Sequence, residues 1–395
     1  MLNDSQRDII KATVPLLETG GEALTTHFYR SMLAEHPEVR PLFNQAHQAS
    51  GAQPRALAHG VLMYARNIDR LEALGSLAAQ IVNKHVALQI QPEHYPIVGT
   101  CLLRAIREVL GAEIATDAVI DAWAAAYGQL ADILIGAEAQ AYDTLAAAPG
   151  GWRGARTFRV VRKVAESAEI TSFHLEPADG AAVLDFKPGQ YIGLKLEVDG
   201  EEIRRNYSLS AAANGRTYRI SVKREPGGVA SNFLHDRIHE GSTLALFPPA
   251  GAFTLADSPA PLVLISAGVG VTPTLAMAEA ALDGSDRRIV FIHYARDAGV
   301  HAFAGLVETW AARYPQLSVH IVYETVHAQD ERQPQATGRP SLEQLRGWLP
   351  KDSDAQVYFL GPKPFMAFVK RALQQLGVPE TQTHYEFFGP AEALD

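Results

Sequence analysis

The spacing of apolar residues divides the chain into a helical first part and a strand-rich remainder. Up to residue 146, apolar residues recur every three to four positions, as Leu24, Phe28 and Met32 do, which is the period of an amphipathic helix. Helix-interrupting residues punctuate this pattern at Gly20-Gly21, Pro37, Gly51, Gly75, Pro92 and Gly111. The last helix is predicted from about Thr116 to Leu145. We therefore expect residues 1–146 to form an all-α domain.

After the break at Pro149-Gly150-Gly151, the pattern changes to short runs rich in β-branched and aromatic residues. These runs are TFRVVRKV, ITSFHLEP, QYIGLKLEV, NYSLS, YRISVKRE and STLALF. Because turn residues separate them, they predict an antiparallel β-barrel over residues 147–258. From residue 259 to 395, buried apolar strands alternate with amphipathic helices, which predicts a doubly wound α/β domain with a parallel sheet.

Size and composition agree with several folded domains. The chain has 395 residues, of which 47% are apolar and 20% charged, so it has enough apolar material for more than one core. The formal charge of -9 argues against a surface that binds polyanions, so nucleic acid is not an expected partner. A single cysteine, Cys101, excludes an intramolecular disulfide and a thiolate cluster.

The chain also shows no sign of export or of a membrane anchor. Its start, MLNDSQRDII, has no basic n-region followed by a long apolar core. No run reaches the roughly 20 apolar residues that a membrane span needs. The expected location is the cytoplasm, and a monomer is expected.

One histidine lies on an apolar helical stripe. Ile81, Val82, His85, Val86 and Leu88 fall at helical spacing. A neutral imidazole on such a face can ligate a buried metal, although a packed and hydrogen-bonded core histidine is the more common occurrence. The residues that precede His85 in the chain favour the interpretation of His85 as a metal ligand.

A helix around Tyr29, an apolar corner at Phe43, and a further helix with Gln53 and Leu57 four positions apart precede the histidine. In this order the residues resemble a bacterial globin domain. The resemblance implies that His85 is the proximal iron ligand and that Tyr29 and Gln53 are polar residues on the distal side. It places Phe43 and Leu57 against the haem. The alternative interpretation is a generic helix bundle.

The resemblance also extends to residues behind the histidine. Glu138 continues the spacing of the apolar residues in the last helix, so it lies at the edge of the buried face. The residues alone favour a solvated carboxylate at this position. The globin resemblance instead implies that Tyr95 and Glu138 stand behind His85 and raise its basicity. Lys84 would pair with this network or with a haem propionate, and a solvated lysine is an equally supported alternative.

The predicted barrel carries three segments that suit a dinucleotide. Arg205, Asn206, Tyr207 and Ser208 lie on a strand, where alternation puts the arginine and the tyrosine on one face. An arginine can bind a pyrophosphate bidentately, and a tyrosine can stack on a planar ring. Downstream, the start of a short helix has free N–H groups that suit a phosphate. Its residues are Gly228, Val229, Ala230 and Ser231. Upstream, Tyr191 begins a strand after Pro188-Gly189-Gln190.

The α/β domain has a Gly-rich turn between its first strand and helix. This turn consists of Gly268, Val269, Gly270, Val271, Thr272 and Pro273. It lacks the full GxGxxG dinucleotide fingerprint. Together with the barrel segments, however, it resembles the ferredoxin-NADP reductase family, which binds FAD in the barrel and the nicotinamide nucleotide at this turn. The resemblance covers most of residues 155 to 390.

The same resemblance extends to the end of the chain and includes one departure. The chain closes with a predicted strand, HYEFFGP, which includes Glu386, Phe387, Phe388, Gly389 and Pro390. In the family this segment places Phe388 against the flavin, and Glu386 is the candidate carboxylate near the transfer site. Leu360 stands where the family usually has a cysteine, which puts the efficiency of hydride transfer in doubt. Arg296 could meet a 2′-phosphate or be a surface charge, so the choice between NADH and NADPH stays open.

A globin followed by this reductase is the arrangement of the flavohaemoglobins, and the resemblance covers the whole chain. It implies a nitric oxide dioxygenase that uses haem b, FAD and NAD(P)H, with NO, O2 and NAD(P)H as its small-molecule partners. A large distal pocket would also admit an apolar ligand. Two alternatives remain: an O2 or NO carrier or sensor kept ferrous by its own reductase, and a flavin-dependent reductase of peroxides or quinones.

Overall fold

The computed structural model describes residues 2–44, 48, 50–283, 285–351, 354–389 and 394. Contacts within the chain define two compact units. The first comprises Met1–Ala148, Asp199–Arg205 and Gly389–Glu392. The second comprises Pro149–Val198, Asn206–Phe388 and Ala393–Asp395.

The first unit is helical. Its helices are α1 (Asp4–Glu35), α2 (Ala52–Arg66), α3 (Gly75–Leu88), α4 (His94–Leu110) and α5 (Asp117–Ala147), with 3-10 turns at Pro37–Leu42 and Leu71–Leu74. A capping box between Asn3 and Gln6 begins α1, and the Thr116 hydroxyl caps α5. Phe28, Met32 and Ile106 lie in the core that these helices enclose. The predicted all-α fold of this region is confirmed.

The predicted interruption at Gly20-Gly21 is wrong, because α1 continues through both residues. Gly21 is buried, and a Cβ atom at this position would lie 3.4 Å from the Cβ atom of Ala58 in α2. Gly21 thus lies at the contact between α1 and α2, where a Cβ atom would make an ordinary van der Waals contact. Packing between the two helices therefore outweighs the low helix propensity of glycine.

A curled antiparallel sheet begins the second unit, although residues 201–205 of one of its strands are grouped with the first unit. Its strands are β1 (Arg156–Ala165), β2 (Ile170–Pro177), β3 (Tyr191–Val198), β4 (Glu201–Ser208), β5 (Tyr218–Lys223) and β6 (Thr243–Leu246). They lie in the order β4-β3-β6-β1-β2-β5, and an isolated bridge pairs Leu209 with Ile220. Helix α6 (Val229–Arg237) follows β5. The predicted antiparallel fold is confirmed, although β4 begins at Glu201, upstream of the predicted run.

The parallel sheet follows. Its strands are β7 (Leu262–Ala267), β8 (Ile289–Ala295), β9 (Leu317–Tyr323), β10 (Ala336–Thr337), β11 (Gln356–Leu360) and β12 (Thr383–Tyr385), and its helices are α7 (Val271–Leu282), α8 (Ala304–Arg313), α9 (Leu342–Trp348) and α10 (Lys363–Gln375). Short 3-10 turns occur at Gly268–Gly270, Ala298–Val300 and Glu380–Gln382. The strand order is β10-β9-β8-β7-β11-β12, and the described pairs are parallel. This confirms the predicted α/β fold.

The last strand is shorter than predicted. The expected strand included HYEFFGP, but β12 ends at Tyr385. Tyr385 pairs with Phe359, and only Leu360 of β11 remains beyond that pair. A strand cannot continue once its neighbour has ended, so Glu386–Gly389 lie outside the sheet.

Within the described residues, one helix is long and apolar enough to cross a membrane by length and composition alone. It is α5. A core helix of a globular protein passes the same test, and Trp123 and Ala126 of α5 belong to the helical core. A single such helix is weak evidence for a span, so the expectation of no span is qualified by this finding.

Two glycines test how closely α4 and α5 pack. A Cβ atom at Gly99 of α4 would lie 2.5 Å from Cε1 of Tyr127 in α5, whereas at Gly128 nothing lies within 4 Å. We expect Gly99→Ala to lower the free energy of unfolding by about 1–3 kcal/mol through overpacking. Urea denaturation of the haem-loaded protein, followed by haem absorbance, measures this change.

Gly128→Ala is the matched control. It lies inside α5 with open space around it, so alanine should raise the free energy of unfolding by about 0.5–1 kcal/mol through helix propensity. Equal effects of the two substitutions would contradict the close packing at Gly99.

Candidate functional site

Three side chains from three helices meet in the first unit. His85 lies in the last turn of α3, Tyr95 lies in the first turn of α4, and Glu138 lies in α5. His85 Nδ1 lies 2.7 Å from Glu138 Oε1 and 3.2 Å from the Tyr95 hydroxyl, which itself donates to Glu138 Oε1 over 2.6 Å. The predicted grouping of these residues is therefore present in the structure, and the solvated alternative for Glu138 is not, since Glu138 is only 2% exposed.

The donors in this triad can be assigned from its geometry. Burial, and then the hydrogen bond to Glu138, raise the pKa of the Tyr95 hydroxyl well above its ordinary range, so Tyr95 is a donor. A carboxylate at Glu138 accepts from both Tyr95 and the Nδ1–H group of His85. The proton on Nδ1 leaves a lone pair on Nε2 of the neutral ring.

This arrangement fits a histidine that ligates haem iron. In the described part of the chain, no residue forms a hydrogen bond with His85 Nε2, and the side chain is 31% exposed. The same residues contain no cluster of three or more His, Cys, Asp or Glu side chains that could hold a metal. A single imidazole with a fixed tautomer suits a metal whose other ligands come from a porphyrin.

Tyr142 is a residue near His85 that the sequence interpretation missed. Its hydroxyl donates to the carbonyl oxygen of Ile90 over 2.7 Å and lies 3.4 Å from that of His85. Tyr142 therefore fixes the backbone at the end of α3. The available signal was its position four residues after Glu138, on the same face of α5.

Lys84 does not remain fully solvated. Its ammonium group donates to the carbonyl oxygen of Gly389 over 2.9 Å, and both residues belong to the first unit. The bond fixes a half-buried cation beside His85. Gly389 was predicted to belong to the flavin segment, and its predicted neighbour Pro390 lies outside the described residues.

Tyr29 and Gln53 lie together, as predicted for the distal side. Tyr29 is 5% exposed, and the Gln53 amide donates to its hydroxyl oxygen over 3.3 Å. Burial raises the pKa of Tyr29 to about 12, an increase that the bond from Gln53 partly offsets. The Tyr29 ring packs edge-on against Phe43 with 5.4 Å between centroids, and Leu57 is half-buried against the same core.

The phenol of Tyr29 is therefore a hydrogen-bond donor at neutral pH. Its oxygen accepts from Gln53, and its O–H group can still donate to another acceptor. The raised pKa keeps this proton in place up to and beyond the ordinary tyrosine value of 10.0. Such a donor suits a ligand that acquires negative charge.

In the second unit, Tyr191 and the closing segment lie near each other. Burial raises the pKa of Tyr191 well above its ordinary range, and the nearby Glu386 carboxylate raises it further. Gly251, which the sequence interpretation missed, makes room for this ring: a Cβ atom there would lie 2.8 Å from Tyr191 Cε1. Phe387 packs against Tyr385 with 6.0 Å between ring centroids, and Phe388 is 49% exposed.

The predicted FAD segments occupy a strand and a helix start. Arg205 and Tyr207 are half-buried on β4, with Asn206 exposed between them and Ser208 half-buried at the strand end. Helix α6 begins at Val229 with Gly228 as its N-cap and no side-chain cap, so its first N–H groups are available to an anion. Ala230 and Ser231 of that turn are buried, whereas Val229 is 56% exposed.

The Gly-rich turn lies at the point where the strand order of the parallel sheet reverses. β7 and β11 are neighbours, and the chain leaves β7 through Gly268, Val269 and Gly270 into α7, whose first residues are Val271, Thr272 and Pro273. A Cβ atom on Gly270 would lie 2.5 Å from the carbonyl oxygen of Leu360. The turn thus packs directly on the end of β11. A crevice at such a switch point is the usual nucleotide site of an open parallel sheet.

Leu360, the departure from the reductase pattern, is 1% exposed and packs in the core beside α7. Its side chain therefore has a packing role in this chain. The consequence for hydride transfer remains a prediction.

The fold and these sites define a class: a globin joined to a flavin- and nicotinamide-binding reductase. Comparison with protein families agrees. Residues 26–134 match the globin family, residues 157–255 the FAD-binding domain of oxidoreductases, and residues 264–371 the NAD-binding domain of oxidoreductases. These matches confirm the predicted haem, FAD and nicotinamide nucleotide at the level of domain families.

Similarity to whole proteins identifies the family. The chain is 66% identical to a flavohemoprotein of Pseudomonas aeruginosa and 67% identical to one of a Burkholderia species, in each case over 100% of both chains. A flavohemoglobin structure from Malassezia yamatoensis, with bound FAD and heme, covers 98% of this chain and is itself covered completely, with a TM-score of 0.86 and 28% identity. The chain belongs to the flavohemoprotein family of oxidoreductases.

A solved structure of a reductase module is also similar to this chain. It is the FAD/NAD-binding domain of a nitric oxide dioxygenase from Vibrio cholerae, which is 38% identical, with a TM-score of 0.56 over 60% of this chain and 100% of that one.

The close contact of Gly270 with β11 predicts how an added methyl group at residue 270 affects nucleotide binding. Gly270→Ala would place Cβ against the backbone of Leu360, so the turn must move away from β11. We expect the apparent dissociation constant for NADH, measured by anaerobic flavin reduction, to rise roughly tenfold or more.

Gly347→Ala provides the control for this prediction. Gly347 lies in α9, outside the predicted nucleotide turn, and a Cβ atom there would have nothing within 4 Å. NADH binding should change little in this variant. If both variants bound NADH like the wild type, close approach at Gly270 would not matter for the site.

Proposed function

We propose that the protein is a nitric oxide dioxygenase, which converts NO and O2 to nitrate with electrons from NAD(P)H. The observation that carries this proposal is the buried triad of His85, Tyr95 and Glu138. When bound, haem would supply the iron at which NO and O2 react, FAD would convert a two-electron donor into single electrons, and the nicotinamide would supply those electrons.

On the proximal side, His85 Nε2 would ligate the iron. Glu138 accepts the Nδ1–H hydrogen bond in a site that is 2% exposed, where a charged acceptor is strong. This bond increases the basicity of the imidazole and its electron donation to a metal. Strong donation favours oxygen activation over reversible carriage, because a carrier must release its ligand unchanged.

On the distal side, Tyr29 would donate a hydrogen bond to the diatomic ligand. Gln53 orients the hydroxyl and would add a second polar group, while Phe43 and Leu57 would contact the haem. A preorganised donor is most effective where negative charge develops in a water-poor site. The 5% exposure of Tyr29 meets that condition.

In the reductase part, Arg205 would bind the FAD pyrophosphate, with Tyr207 stacked on its ring and the start of α6 facing a phosphate. Asn206, Ser208 and Tyr191 would complete the flavin contacts. The turn from Gly268 to Pro273 would receive the nicotinamide nucleotide. The closing segment, with Glu386 and Phe388, would border the flavin, and the Glu386 carboxylate lies near enough to Tyr191 to raise the pKa of its hydroxyl.

Consumption of NO in aerated buffer tests the proposal. With haem- and FAD-loaded protein and NADH, we expect rapid, cyanide-sensitive loss of NO at an electrode, with nitrate formed in proportion. NADH oxidation with NO loss no faster than that of a haem-free preparation would contradict a dioxygenase and favour a carrier or sensor. Peroxide or quinone reduction that survives haem removal would then identify the reductase as the main activity.

Tyr29→Phe tests the distal hydroxyl. Loss of a buried donor to a charged acceptor should accelerate O2 dissociation roughly tenfold or more and reduce NO turnover. Rapid-mixing measurement of O2 release from the reduced protein gives the rate constant.

Tyr64→Phe serves as the control for Tyr29→Phe. Tyr64 is 4% exposed in the same core, and its hydroxyl donates to the carbonyl oxygen of Ala126 over 2.9 Å. Its loss should leave O2 release unchanged. An unchanged O2 dissociation rate in Tyr29→Phe would remove Tyr29 from the proposed role.

A further inference from the structure

The end of β8 carries the two residue types that distinguish nicotinamide nucleotides. Arg296 and Asp297 directly follow β8, which lies beside β7, the strand that leads into the Gly268 turn. In open parallel sheets that bind dinucleotides, an acidic residue at this strand end bonds the 2′-hydroxyl of the adenosine ribose, whereas a nearby arginine accommodates a 2′-phosphate. Here both residue types are present, so their surroundings decide which one acts.

Arg296 is already paired. Its guanidinium donates to Glu169 Oε1, and Glu169 immediately precedes β2. The backbone on both sides is anchored: Glu169 O accepts from Arg224 N over 2.8 Å, and Arg296 O accepts from Thr325 N over 2.8 Å. The side chains of Arg296 and Glu169 are 61% and 31% exposed, so a ligand could reach the pair.

Asp297 has a different environment. Its Oδ1 atom accepts from Gly299 N over 2.9 Å and from Val300 N over 3.2 Å. These bonds fix the carboxylate at the strand end, where it would repel a phosphate. Binding of a 2′-phosphate would therefore require Arg296 to leave Glu169 while a fixed carboxylate remains beside it.

We propose that Glu169 is a specificity-determining residue of the nucleotide site: by pairing with Arg296, it withholds the cation that a 2′-phosphate needs. NADH is discriminated from NADPH by this pair. The inference rests on the proposed nucleotide site at the Gly268 turn, and it does not depend on the chemistry at the haem.

Anaerobic flavin reduction of the FAD-loaded protein by NADH and by NADPH tests this role. In Glu169→Gln, Arg296 is released, and the ratio of kcat/KM for NADPH to that for NADH should rise roughly tenfold. Most of the change should lie in the apparent dissociation constant for NADPH. Binding of 2′,5′-ADP should strengthen relative to that of 5′-AMP, because the two probes differ only in the 2′-phosphate.

Two variants separate release of Arg296 from a general change of charge. Glu324→Gln removes one negative charge at the end of β9, where Glu324 pairs with Arg339 over 3.3 Å, and should change the ratio much less. The double variant Glu169→Gln/Arg296→Gln should lose the gain. An unchanged ratio in Glu169→Gln, an equal rise in Glu324→Gln, or a gain that survives in the double variant would each overturn the proposal.

Failure of the role proposed for Glu169 and failure of the proposed nucleotide site give different results. Wild-type flavin that neither nucleotide reduces would refute the site at the Gly268 turn. If NADH reduces the flavin but the NADPH-to-NADH ratio of kcat/KM does not change in Glu169→Gln, only the proposed role of Glu169 in discrimination is refuted.

Discussion

The buried carboxylate of Glu138 is the interaction on which the helical unit depends. It lies on α5 and accepts hydrogen bonds from side chains of α3 and α4, so one residue ties three helices together at one point. A buried carboxylate without such partners would cost several kcal/mol, and that cost fixes the positions of His85 and Tyr95. The same hydrogen bond favours the His85 tautomer with the proton on Nδ1, which leaves a lone pair on Nε2 for a metal. Structure and proposed chemistry therefore depend on the same hydrogen bond.

In the parallel sheet, the nucleotide site depends on a steric constraint at Gly270. Gly270 lets the turn after β7 pack on the end of β11, because a Cβ atom there would lie 2.5 Å from the Leu360 carbonyl oxygen. The strand order reverses between β7 and β11, and α7 starts at this switch point. The residues at the end of the neighbouring strand β8 then face the same edge of the sheet. The proposed nucleotide site and the discrimination proposed for Glu169 both rest on this topology.

The sequence predicted what depends on local periodicity and on family order. The three fold classes, the Tyr29–Gln53 pair and the grouping of His85, Tyr95 and Glu138 were all expected before the structure. Features decided by contacts distant in sequence were not. Gly20-Gly21 was predicted to interrupt α1 because glycine propensity is local, whereas Ala58 lies in another helix. The bond from Tyr142 to Ile90 and the pair of Arg296 with Glu169 join residues 52 and 127 positions apart, which no single-sequence pattern contains.

The effect of Glu138 on His85 can be measured as the iron–histidine stretching frequency of the reduced, ligand-free holoprotein, by resonance Raman spectroscopy. A carboxylate that accepts a hydrogen bond from Nδ1–H raises the basicity of the imidazole and so strengthens its bond to iron. An amide oxygen accepts the same hydrogen bond more weakly. We expect Glu138→Gln to lower this frequency while haem stays bound. An identical frequency in the variant and the wild type would contradict the claim that Glu138 controls the proximal histidine.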